Sequence, residues 1–102
     1  MARYLDNKVV FVIGSGSELH RGTAVALAEA GADIAVGGAM GDLAAEAALH
    51  SIANEIWAMG RRSTVVTVEG DSSAGFAAAV SKVMAELGKA DLVVRCDAVA
   101  NA

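Results

Sequence analysis

The stretch VFVIGSGSELHRGTAVALAEAGADIAV, Val10 to Val36, decides the fold. A run of Val, Phe and Ile ends at Gly14-Ser15-Gly16, an Ala-rich segment follows, Gly31 interrupts it, and Asp33–Val36 resumes the apolar character. β-Branched runs of this length suit buried strands and the Ala-rich segment suits a helix, so the unit is strand, turn, helix, strand. The alternation continues along the chain. Val9–Ile13, Asp33–Val36, Thr64–Val68 and Leu92–Val94 are predicted strands, each separated from the next by an Ala-rich stretch. Leu49, Ile52, Ile56 and Met59 recur at helical spacing, as do Phe76, Val80, Val83 and Leu87, and each set makes one apolar stripe. Gly31, Gly60 and Gly88 lie where a left-handed residue closes a helix, which predicts helix ends at about Ala30, Met59 and Leu87.

Strands that are apolar throughout and separated by helices predict an α/β, doubly wound parallel sheet covered on both faces and joined by right-handed crossovers. In such sheets the ligand crevice lies beyond the carboxyl ends of the strands, where the strand order reverses. Here that places it at the loops after Ile13 and Val94.

Composition narrows the partners. The 102 residues predict one domain, with a core but little surplus. Hydrophobic residues make up 55% of the chain and mean hydropathy is +0.48, yet much of this is alanine, and polar residues or glycine cut each apolar run short of a membrane span. MARYLDNK lacks the apolar segment of a secretory signal, so a soluble, cytoplasmic protein is expected. A net charge of −4 and a pI near 4.9 argue against nucleic acid and anionic membrane as partners. With one cysteine, Cys96, and two histidines, His20 and His50, neither an internal disulfide nor a zinc-like ligand set is expected.

LDNKVVFVIG, AVALAEAGADIAV, AMGRRSTVVTVEGDS and ELGKADLVV, in that order, resemble the N-terminal half of a short-chain dehydrogenase/reductase. The resemblance implies a Rossmann-like sheet in the order 3-2-1-4 with three helices, and NAD or NADP as cofactor. It covers nearly the whole chain, but the family's domain is longer. The family's catalytic Ser, and its Tyr and Lys four residues apart, have no counterpart here. Tyr4 and Lys8 repeat the gap, but they precede the first strand and are expected at the surface.

Position by position, the cofactor signals are degenerate. In the family's TGxxxGxG turn the first glycine matches Gly14, the later two fall at Glu18 and His20, and Leu19 matches the apolar residue between them; Ser15 and Gly16 complete the turn. The position that selects between NAD and NADP after the second strand reads Gly37-Gly38-Ala39. The Asp-Val beside the adenine is Glu69-Gly70, followed by Asp71. The NNAG of the fourth strand is Arg95-Cys96-Asp97-Ala98. The resemblance therefore implies Gly14, Ser15, Gly16, Glu18, Leu19, His20, Gly38, Glu69, Gly70 and Cys96 as cofactor-binding positions, with no catalytic residue and no metal ligand.

Glu18 stands out among them. A carboxylate about 5 Å from a phosphate, at an effective dielectric near 20, costs on the order of 3 kcal/mol, or about a hundredfold in affinity. Without nucleotide, the same carboxylate is favourable at a helix N-terminus, where it is expected to cap the helix and fill its own anion site. On that basis Glu18→Gln should raise NADH affinity about tenfold or more. His20 is expected as an ordinary turn residue, the alternative being a basic pair with Arg21 facing phosphate. Cys96, Asp97 and His20 are a remoter nucleophile, acid and base combination. Trp57 flanks the stripe of the second helix and reads as packing or a partner contact. Asp91, Lys82, Glu86 and Lys89 read as solvated polar positions.

The expected function is a non-catalytic Rossmann domain with weak or no NAD(P) binding. The alternatives are one part of a split or truncated oxidoreductase completed by another chain, or an assembly subunit without cofactor. A homo-oligomer, or a completing chain at the edge of the fourth strand, is the expected partner, because an open apolar edge is usually paired or shielded.

Overall fold

The computed structural model describes residues 4–39, 43–69 and 72–96. Four strands, β1 (Val9–Ile13), β2 (Asp33–Gly38), β3 (Ser63–Thr67) and β4 (Leu92–Arg95), alternate with three helices, α1 (Glu18–Glu29), α2 (Leu43–Ala58) and α3 (Ser73–Leu87). The strands form one sheet in the order β3-β2-β1-β4, all pairs parallel. This is the predicted order and class.

Alternation along β1 divides the core between the two faces of the sheet. Val10 and Val12 join Ile34 and Val36 beneath Ala24 and Ala28 of α1 and Leu49, Ile52 and Ile56 of α2. Val9, Phe11 and Ile13 join Ala35 and Val66 against Ala79, Val83 and Leu87 of α3. All five β1 residues are fully buried, as a central strand covered on both faces requires. The helix ends fall within one residue of expectation, and Gly31, Gly60 and Gly88 all have positive φ, the conformation glycine adopts without a Cβ penalty. Met59 departs from its predicted stripe: it lies just past α2 and is exposed. Trp57 points to solvent and does not pack.

Polar contacts tie the elements together. Arg21 of α1 forks onto Glu55 of α2, with two N–O distances of 2.8 Å. Asp91, expected as a solvated residue, fastens the start of β4 to β1. Its carboxylate accepts from the Val9 amide at 2.8 Å, and its own amide donates to the Val9 carbonyl at 2.9 Å. The Val9 N–H, with Lys89 3.4 Å away, holds the Asp91 carboxyl below the ordinary aspartate range.

β4 is covered unlike the other strands. Among the described elements its backbone runs close only to β1, and Val94 packs against the core cluster that α1 and α2 share. Leu92 and Val93 are 47% and 43% exposed.

Candidate functional site

β1, β2 and β4 end at the edge where α1 begins, so Gly14 to His20, Gly38 and Cys96 come together there. Three backbone bonds draw this edge tight: Gly14 N–H donates to Gly37 O at 3.0 Å, Val68 N–H to Gly38 O at 3.0 Å, and Cys96 N–H to Ile13 O at 2.9 Å. The approach is close enough to require glycine. A Cβ on Gly38 would lie 2.7 Å from Gly14 O, and one on Gly14 would lie 2.6 Å from His20 Cγ and 2.8 Å from Cys96 Sγ.

His20 differs from both expectations. It is fully buried and faces neither solvent nor an open phosphate site. Its Nε2 lies 3.0 Å from Val12 O, and Gly16 N–H donates to its Nδ1 at 2.9 Å. A carbonyl can only accept and an amide N–H can only donate, so the ring is neutral with its proton on Nε2. Both ring nitrogens are used by the backbone, which removes His20 as a base for Cys96. The thiol itself donates to Ile13 O at 3.3 Å.

Glu18 also differs. The cap of α1 is Ser17, in extended conformation, with its Oγ accepting from His20 N–H at 3.2 Å. Glu18 occupies the first helical position, its side chain is 90% exposed, and it reaches along the helix to Arg21 at 3.4 Å. Helical spacing of three residues sets that pair and draws the carboxylate away from the helix amides. Arg21 is committed to Glu55 and Glu18, whose hydrogen bonds and charges raise its already high pKa. No basic pair faces a phosphate.

Leu19 is exposed on the first turn of α1, and Ser15 lies exposed on the loop. Glu69 lies elsewhere, in a pocket of about 510 Å³ between α3 and the end of β3 that Thr67, Ser72, Ala78 and Lys82 also line. None of the Gly14–His20 residues lines it. Gly70, Asp71 and Asp97 lie outside the described residues. Tyr4 and Lys8 lie at the amino ends of the strands, opposite the turn, and are exposed. Among the described residues no group of His, Cys, Asp and Glu could hold a metal, and no helix is long and apolar enough to cross a membrane.

A pyrophosphate at such a turn is held by loop amides and by the helix N-terminus. Here the Gly16 amide is donated to His20 and the His20 amide to Ser17, so two of the donors it would need already have partners inside the protein.

Parallel order 3-2-1-4, with helices on both faces and a glycine turn at the end of β1, defines a Rossmann-like α/β domain. No protein-family model matches the chain. It is 37% identical over 90 residues to 2-dehydro-3-deoxy-D-gluconate 5-dehydrogenase of Dickeya dadantii, an alignment covering 88% of this chain and 33% of that protein. It superposes on a short-chain type dehydrogenase/reductase from Mycobacterium marinum with a TM-score of 0.74 and 25% identity, over 87% of this chain and 34% of the other. A blue fluorescent protein from a metagenomic library, solved with NADPH, gives a TM-score of 0.71 and 28% identity, over 87% and 35%. The fold is shared as well with an NAD+-bound xylitol dehydrogenase, at a TM-score of 0.75 and 24% identity, over 88% of this chain and 33% of that one. In sequence and fold the chain is similar to short-chain dehydrogenases/reductases, and it spans about a third of the length of these relatives.

Proposed function

We propose that this chain is a short-chain dehydrogenase/reductase domain that, by itself, carries out no hydride transfer and binds NAD or NADP weakly or not at all. The observation that carries the proposal is the commitment of the Gly16 and His20 amides to His20 and Ser17. Chemistry is a separate matter. General acid/base work needs a titrating group within hydrogen-bond reach of substrate, and Tyr4, the one tyrosine, lies at the opposite edge of the sheet. The relatives' nucleotides, NAD+ in one and NADPH in another, make both forms candidates. Calorimetric titration of the purified protein with NADH and NADPH should give a dissociation constant above about 0.1 mM for each. Low-micromolar binding of either, or turnover of a carbonyl panel, overturns the proposal.

The half-exposed Leu92 and Val93 of β4 favour a second function, a part of an oxidoreductase completed by another chain or a second copy along that edge; an assembly role without cofactor would use the same surface. An uncovered apolar strand exposes backbone donors and acceptors that proteins usually pair or shield. Light scattering across the micromolar range tests this. A constant monomer mass with protected β4 amides argues against any such partner.

A further inference from the structure

We propose that His20 is the residue that sets the state of the turn. Its neutral imidazole is an internal bracket between Val12 and Gly16 that withholds the Gly16 amide from an anion, and so lowers affinity for a dinucleotide. The inference rests on the weak-binding function proposed above and assigns its cause to a positioning residue.

Three sets of contacts converge on the ring. Through Nε2–H it is fixed to Val12 O of β1, which places it beneath the turn at a strand that cannot move without disturbing both halves of the core. Through Nδ1 it takes the Gly16 N–H, and through its own backbone amide it is fixed to the Ser17 cap. Gly14 supplies the space: any side chain there would meet the ring or Cys96 Sγ. On the other side, a Cβ on Gly16 would lie 2.8 Å from the Ala48 Cβ of α2, and Gly16 has a φ of +82°, a conformation open chiefly to glycine. Gly16 is thus held between α2 and the imidazole with its N–H turned inward.

Where the family has a glycine, this chain has a ring that fills the space beneath the loop and satisfies a donor of the loop. Among the described residues no buried side-chain nitrogen or oxygen lacks a partner, so the ring leaves no unmet hydrogen-bonding demand for a ligand to fill. An anion seeking Gly16 N–H must displace a buried, doubly bonded side chain. Exchange of an internal hydrogen bond for a ligand bond yields little net gain.

The amide substitutions separate the two halves of the bracket. In His20→Gln the longer amide reaches the Nε2 position and keeps the donor to Val12, but leaves no acceptor for Gly16. In His20→Asn the shorter amide places an acceptor at the Nδ1 position and keeps the bond to Gly16. Nitrogen-15 spectra of the unliganded wild type should show the Nε2–H tautomer and a coupling across the Gly16 N to His20 Nδ1 bond, a signature that mere space filling would not produce. NADH titration should give at least tenfold tighter binding for His20→Gln than for His20→Asn, which should stay at the wild-type value. The Nδ1–H tautomer, absence of the coupling, equal affinities in the two variants, or no measurable binding by His20→Gln each overturn the bracket. Wild-type affinity in the low micromolar range refutes the weak-binding function, while the spectra and the ratio between variants still judge His20. Should either variant fail to fold by thermal melting, the wild-type spectra decide the case.

Discussion

The two strands that meet at the crevice, β1 and β4, are neighbours with opposite surroundings. β1 is buried along its whole length, and the turn after it closes on itself through His20, Ser17 and Gly14. β4 pairs with β1 on one side and with no other described strand, its Val94 packed on the core but Leu92 and Val93 half in solvent. The turn has its Gly16 and His20 amides paired internally, whereas β4 still offers apolar area and a strand edge. On the function proposed above, binding is resisted at the turn after β1 and invited along β4.

The largest way to break this contrast is Gly14→Ala. The new methyl would lie within 2.8 Å of both the His20 ring and Cys96 Sγ, contacts that no rotamer of Ala relieves. A loss of about 1–3 kcal/mol is expected by urea denaturation. In a His20→Gly background the loss should shrink by about half, because the two residues share the space and their effects are not additive. Equal losses in both backgrounds would show that the ring is not what Gly14 accommodates.

At the open side, Val93→Lys places a charge on the strand edge that pairs only with β1. Stability of the monomer should change by no more than about 0.5 kcal/mol, while any self-association or partner binding seen with wild type should be lost. Association that survives the charge would place the interface elsewhere.

Asp91 gives a pH-dependent comparison. Its folded pKa is depressed by the Val9 amide and Lys89, so its stabilisation is complete above the unfolded aspartate value and disappears as pH falls through the lower folded one. Below about pH 4 the wild type should lose the anchoring of β4, seen as faster exchange of the Leu92–Val94 amides. Asp91→Asn should lose that pH dependence.

The smallest effect is expected from Glu18→Gln. An exposed carboxylate turned toward Arg21 is screened by solvent, so NADH affinity should change less than about threefold and stability by less than about 0.5 kcal/mol. This replaces the tenfold gain predicted from the sequence. A rise of tenfold would return the carboxylate to the phosphate site.

The fold was legible because its signals are periodic and local. The Val and Ile runs, the stripe of Leu49, Ile52 and Ile56, and glycines at three helix ends each point to the same element boundaries, and the strand order followed from the family resemblance. The site was legible in place but not in state. Gly14 to His20, Gly38 and Cys96 do gather at the end of β1, while Glu69 lies in the pocket beside α3 and Gly70 is outside the described residues. A polar residue in a turn normally reads as exposed, and nothing in the spacing says that His20 is buried. The signal that could have found it is the pair Gly14 and Gly16 before a single ring-bearing residue, a turn emptied of side chains where one is needed to fill it. Glu18 was misplaced because its charge was weighed against an absent phosphate before its neighbours were weighed. Ser17 is the better cap, and Arg21 stands three residues on. Asp91 was missed because its partner is the backbone of a distant residue, which no local pattern records.

Gly38 has a bearing on how this domain could be engineered. It stands near the position from which relatives choose between nucleotides, yet its missing side chain is where Gly14 O and the Leu49 methyls already lie, the methyls 3.1 Å from where a Cβ would sit. An acidic residue installed there first would pry the turn from β2 before it could meet any ribose. The order of substitutions therefore matters: Leu49 and the turn should be loosened before position 38 is altered, because a library that varies position 38 alone starts from destabilised proteins.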